Sequence, residues 1–106
     1  MGDLNTALQQ LVDATAELNA RAEKLISARA AQDEADRRLD QARKAWLAKD
    51  TEATRKKVAD EQGWLGDRIT KTNEARTAFD TAGAAWSAAF TAYMAAIAAT
   101  FASAIR

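Results

Sequence analysis

The sequence predicts an all-α fold: a long antiparallel helical hairpin, coiled-coil-like, assembling into a four-helix bundle or a larger helical oligomer. Three observations predict it. Alanine is abundant while proline and cysteine are absent, a mixture that favours helix because Pro costs roughly 3 kcal/mol inside one. Residues seven apart form an almost wholly apolar ladder, Leu4, Leu11, Leu18, Leu25, Gln32, Leu39 and Trp46. A second ladder follows, Val58, Leu65, Thr72, Phe79, Trp86, Tyr93 and Thr100. Steps of seven keep residues on one slowly drifting helix face, so each ladder reads as the buried seam of a long helix. Folded at about residue 52, the rungs pair antiparallel: Trp46 with Val58, Leu39 with Leu65, Gln32 with Thr72, Leu25 with Phe79 and Leu18 with Trp86.

A single domain, 1–106, contains both helices. The first is expected over about 4–48, with Asp3 or Asn5 able to cap its free N–H groups. The phase breaks between Trp46 and Val58, and the turn is expected at about 49–51. There Asp50 or Thr51 can cap the second helix, and Glu52 sits on the positive end of its dipole. That helix is expected over about 52–105. Gly63 and Gly66 weaken it and read as a kink or a tolerated weak spot, with a turn at this point as the competing reading.

Charge is distributed unevenly along the chain. Of the 30 charged side chains, 26 fall in residues 21–80, and Arg106 is the single one after residue 80. Acid-then-base pairs at i,i+4 support the charged half: Glu17–Arg21, Asp33–Arg37, Glu34–Arg38, Asp40–Lys44, Glu52–Lys56 and Asp67–Lys71. From Thr81 to Ile105 no residue is charged. That length suffices for a bilayer, so membrane association through 81–105 is an alternative. Its large side chains, however, occupy one arc, with small residues behind, as in a helix packed on protein. Helix one carries an equally wide stripe here, and two helices meeting along a narrow seam leave the excess uncovered. Leu8, Val12, Trp86, Phe90, Met94, Ile97 and Phe101 are therefore the candidate assembly interface, and a second copy of the chain is the expected partner.

Composition excludes most chemistry. There is no His and no Cys, which removes the commonest general base, the commonest nucleophile after Ser and the commonest metal ligands. The acidic run Asp33, Glu34, Asp36 and Asp40 is neutralised by Arg29, Arg37, Arg38 and Lys44. No catalytic residue, cofactor or metal is expected, and the chain reads as a non-enzymatic structural or adaptor protein. Formal net charge is zero, so no overall field steers it to nucleic acid, which is not an expected partner. The basic residues nearest the turn, Arg43, Lys44, Lys49, Arg55, Lys56 and Lys57, are a candidate tip for another protein or an anionic partner. No secretory signal opens the chain, and cytoplasmic residence is the default.

Trp64-Leu65-Gly66 resembles the Trp-x-Gly signature of WXG100 proteins, small helical hairpins of about this length. The resemblance implies leaderless secretion through a specialised system, and dimerisation. In that family the motif forms the turn, whereas here it follows the best hairpin centre. The family's export signal, Tyr with an acidic residue four later, meets Ile97 after Tyr93.

Overall fold

The computed structural model describes residues 2–105, with Met1 and Arg106 outside them. It contains two helices, α1 over Gly2–Ala48 and α2 over Glu52–Ile105, joined by Lys49, Asp50 and Thr51 as an antiparallel hairpin. Neither helix is interrupted: Gly63 and Gly66 are helical, and no described residue has positive φ. A Cβ on either glycine would meet nothing within 4 Å, so neither residue answers a steric demand. Trp64-Leu65-Gly66 accordingly lies within α2 and forms no turn.

The link is built from side chains of its own sequence. Thr51 is the N-cap of α2, its hydroxyl accepting from the Thr54 N–H at 3.2 Å while the Thr54 hydroxyl accepts from the Thr51 N–H at 2.9 Å. This is a reciprocal capping box with threonine in the place usually held by glutamate. The same Thr54 hydroxyl lies 2.8 Å from the Lys49 carbonyl, so one side chain ties the end of α1 to the start of α2. Asp50 does not cap. Its carboxylate accepts from the Trp46 indole N–H at 2.9 Å and from Arg55 Nε at 2.6 Å.

Burial along both helices alternates in steps of three and four. On α1 the ladder from Leu4 to Leu39 is buried or half-buried, and so is a companion row, Ala7, Ala14, Arg21, Ala28, Ala35 and Ala42. On α2 the companions of the ladder are Thr54, Glu61, Arg68, Ala75, Ala82, Ala89 and Ala96. The core therefore consists mainly of alanine: Ala7, Ala35, Ala42 and Ala82 are buried with Leu25, Leu39 and Val58, and no large side chain among the described residues is fully buried.

The chain clusters as two compact units, Met1–Glu23 with Thr77–Arg106, and Lys24–Arg76. In the second unit Leu39, Ala42 and Val58 form one apolar cluster, with Leu65 packed against it. Thr72 donates to the Ala28 carbonyl at 3.2 Å, and Arg38 Nη2 donates to Glu61 Oε1 at 2.9 Å. In the first unit the Trp86 indole N–H donates to Thr15 Oγ1 at 2.9 Å. There too, a Cβ on Gly83 would lie 4.0 Å from Leu18 Cδ1.

Two of these partners shift expected rungs by about one turn, while Leu65 packs on the cluster that contains its expected partner Leu39. Trp86 bonds Thr15, one turn before the expected Leu18, and Thr72 bonds Ala28, one turn before the expected Gln32. This offset matches a link centred on Asp50 rather than on residue 52. Mirroring about Asp50 sets ladder residues of one helix against companion residues of the other: Leu65 faces Ala35, Val58 faces Ala42, and Trp86 faces Ala14. A large side chain opposite an alanine lets two helices approach closely, at or below the 8–10 Å usual between helix axes. Trp46, expected as a buried rung, is exposed and turned towards Asp50.

Candidate interaction surfaces

Two groups of side chains stand out, one in each unit. In the first unit Trp86 joins two strips. Its indole N–H reaches Thr15 on α1, and its ring stacks on Phe90 at 5.2 Å between centroids and 10° between planes. Leu8, Val12 and Thr15 succeed one another at helical spacing on α1, as do Phe90, Met94, Ile97 and Phe101 on α2. Because Trp86 touches both strips, they flank the same side of the helix pair. Leu8, Val12, Phe90, Met94 and Phe101 are exposed, between 42% and 67%, whereas Trp86 and Ile97 are half-buried. The positions on the other side, Thr6, Gln10, Asp13 and Glu17 on α1 with Ala85, Ala88, Ala92 and Ala95 on α2, are polar or small. All seven residues expected at the assembly interface thus occupy one side of this unit. The α2 segment here is also long and apolar enough to cross a membrane by composition, with mean hydropathy 1.6 in its best window.

The six basic residues expected at the tip are divided by the structure. Lys44 pairs with Asp40 at 3.2 Å, Arg55 with Asp50 at 2.6 Å and Lys57 with Glu61 at 3.0 Å. Arg43, Lys49 and Lys56 form no ion pair among the described residues. Residues 40–61 hold six cations against five carboxylates, so the local positive excess nearly vanishes once the flanking acids are included. Leu47 beside them is 84% exposed. The Arg55 guanidinium first, then the Trp46 indole, hold the Asp50 carboxyl below its ordinary value.

The second group lies outside the residues expected from the sequence. Glu61 is only 3% exposed and occupies a companion position of the α2 seam. Its Oε1 accepts from Lys57 and, across the helix pair, from Arg38. The Arg38 guanidinium lies over the Trp64 ring, 4.4 Å from its centroid, and that of Arg68 lies 5.0 Å from the same centroid. Lys57, Glu61, Arg38, Trp64 and Arg68 thus form a ladder of alternating charge and aromatic contact. The Lys57 ammonium pulls the Glu61 carboxyl below its ordinary value, against the burial that pushes it up, and Arg38 adds to the lowering. Glu61 Oε2 and Arg68 Nε are buried without a hydrogen-bond partner.

Arg38 was expected to pair with Glu34, and Arg37 with Asp33. Instead Arg38 crosses to Glu61 and Arg37 takes Glu34. An exposed ion pair contributes little, whereas a buried carboxylate without a partner is strongly unfavourable, so the buried acid captures the arginine. The signal in the sequence was the position of Glu61, three residues after Val58 and four before Leu65, which puts it in the seam. Asp33, Glu34, Asp36 and Asp40 form no metal-holding group, and no such group occurs among the described residues.

Comparison with protein families, curated proteins and solved structures finds no match for this chain.

Proposed function

We propose that this chain is a non-enzymatic structural or adaptor protein that self-associates through helix–helix contact, with a second copy covering the apolar side of the Trp86 unit. The observation that carries this reading is the confluence of Leu8, Val12, Phe90, Met94 and Phe101 on one side of that unit, all exposed. At ~150–250 Å² for a large side chain, their exposed fractions amount to roughly 500 Å² of apolar surface. That is within reach of the ~800 Å² per partner of a standard interface and at the upper end of patches tolerated on monomers.

Two features favour a second copy as the occupant. The strips contain no charge, so two identical surfaces meet without like-charge repulsion. The α1 strip presents the aliphatic Leu8 and Val12, and the α2 strip the larger Phe90, Met94, Ile97 and Phe101. A two-fold axis therefore lays the α2 strip of one protomer against the α1 strip of the other, in an isologous contact. Two hairpins joined this way form a four-helix bundle with coiled-coil seams, leaving the charged unit free for another protein.

The test places a carboxylate in the proposed interface. Phe90→Asp is expected to yield a folded monomer, while Leu47→Asp, on the other unit, leaves the assembly unchanged. Equal mass for Phe90→Asp and the parent chain would remove this surface from the interface.

A further inference from the structure

We propose that the Lys57–Glu61–Arg38–Trp64–Arg68 ladder fixes the register of the two helices in the Lys24–Arg76 unit, with Arg38 and Glu61 as positioning residues. The inference is independent of the proposed self-association.

The apolar layers of this unit do not define a register by themselves. On α1 the companion residues are alanine at 28, 35 and 42, seven apart. Sliding α1 by one heptad sets Leu65 against Ala28 or Ala42 instead of Ala35, a layer of the same composition. Heptad sequences of this kind need a polar layer to choose among alignments, and a single buried polar residue can do so.

The charged layers distinguish the alignments sharply. In the native register Glu61 lies beside Arg38 and is bonded by it at 2.9 Å, and mirroring about Asp50 sets Arg68 opposite Gln32. One heptad in one direction sets Glu61 opposite Gln32 and Arg68 opposite Leu25. One heptad in the other direction sets them opposite Trp46 and Leu39. Either slip carries Arg38 about 10 Å from Glu61. It also removes the guanidinium from the face of Trp64, which it now covers at 4.4 Å.

The ladder is poorly built for stability alone, since Glu61 Oε2 and Arg68 Nε stay buried without partners. Buried ionic groups with unmet hydrogen bonds commonly cost as much as they return, and selection among alignments is their best-attested use.

Cysteine cross-linking tests this, because the chain has no cysteine of its own. Leu65→Cys is combined separately with Ala28→Cys, Ala35→Cys or Ala42→Cys. Each pair is oxidised in dilute solution and the intramolecular disulfide quantified on non-reducing gels. A disulfide needs Cα atoms within ~7 Å, so each pair reports one alignment. In the otherwise unchanged chain only the 35/65 pair should close. In Arg38→Met/Glu61→Leu, which keeps the layer filled and apolar, helicity should persist while the 28/65 or 42/65 pair rises on the order of tenfold. Retention of the 35/65 pair alone would overturn the proposal and assign the register to the turn. Loss of helicity in the double variant, read by circular dichroism, would overturn it too, since the ladder would then be a requirement for folding rather than for alignment.

Discussion

Arg38 bonds Glu61 across the helix pair at 2.9 Å, although Glu34 stands four residues before Arg38 on its own helix. The choice follows from burial: Glu61 is 3% exposed, while the Glu34 side chain is half exposed. A contact between residues 23 apart thereby replaces a local one, and α1 and α2 gain a charge-assisted bond in their seam.

Acid should loosen the hairpin. The carboxyls of Glu61 and Asp50 are both held below their ordinary values of 4.5 and 3.8. A lowered folded-state pKa contributes stability that is fully present above the unfolded value and is lost as pH falls through the folded one. Thermal melts should therefore be flat from pH 7 to about pH 5 with respect to these groups, and fall below pH 4.5. Glu61→Gln, which cannot titrate, should show a weaker acid dependence than the parent. An identical slope in both would remove Glu61 from the cause.

Gly63 and Gly66 should each be improvable. Both are helical, and a Cβ on either meets open space. Alanine at each position is expected to add about 0.5–1 kcal/mol by restricting the unfolded chain and favouring helix. For a domain of this size that raises Tm by roughly 4–8 °C per kcal/mol. Scanning calorimetry of Gly63→Ala, Gly66→Ala and the double variant checks the effect and its additivity.

The threonine turn should be the sensitive point of the link. Thr51→Ala removes the N-cap of α2 and is expected to cost about 1 kcal/mol. Thr54→Ala removes the reciprocal acceptor and the reach to the Lys49 carbonyl as well, and should cost at least as much. Urea denaturation of both variants gives the comparison, with Thr70→Ala as a mid-helix control, because its hydroxyl bonds only its own helix at Gly66.

Trp86→Phe separates packing from hydrogen bonding in the other unit. The substitution keeps a ring to stack on Phe90 but abolishes the indole donor to Thr15. A loss of about 0.5–1.5 kcal/mol is expected, the net value of one neutral hydrogen bond. Thr15→Val in the same background should add little if the two side chains act as a pair.

Most of the fold was legible because a heptad ladder states helix length, face and antiparallel partner together. The turn chemistry was half legible: Thr51 is a candidate cap, but Thr54 at N3 carries no capping-box signal, because the usual residue there is Glu or Gln. The register differs from the ladder-on-ladder pairing by about one turn, because ladder residues of one helix lie opposite companion positions of the other. Many of the companion positions are alanines, and alanine in an Ala-rich chain gives no contrast that marks a seam. Glu61 and Arg68 were missed for a related reason. Each is one charge among many in residues 21–80, and only their spacing from Val58, Leu65 and Thr72 marks them as inward. The apolar side of the Trp86 unit was readable from the width of its stripe, since a single seam covers only part of it.

The mass of the chain in detergent-free solution, from size-exclusion chromatography with light scattering over a hundredfold range of concentration, tests self-association most directly. A mass of two or more chains, falling to one chain in Phe90→Asp, is the expected result. A folded monomer at every concentration, or a chain that stays soluble only in detergent, would contradict it.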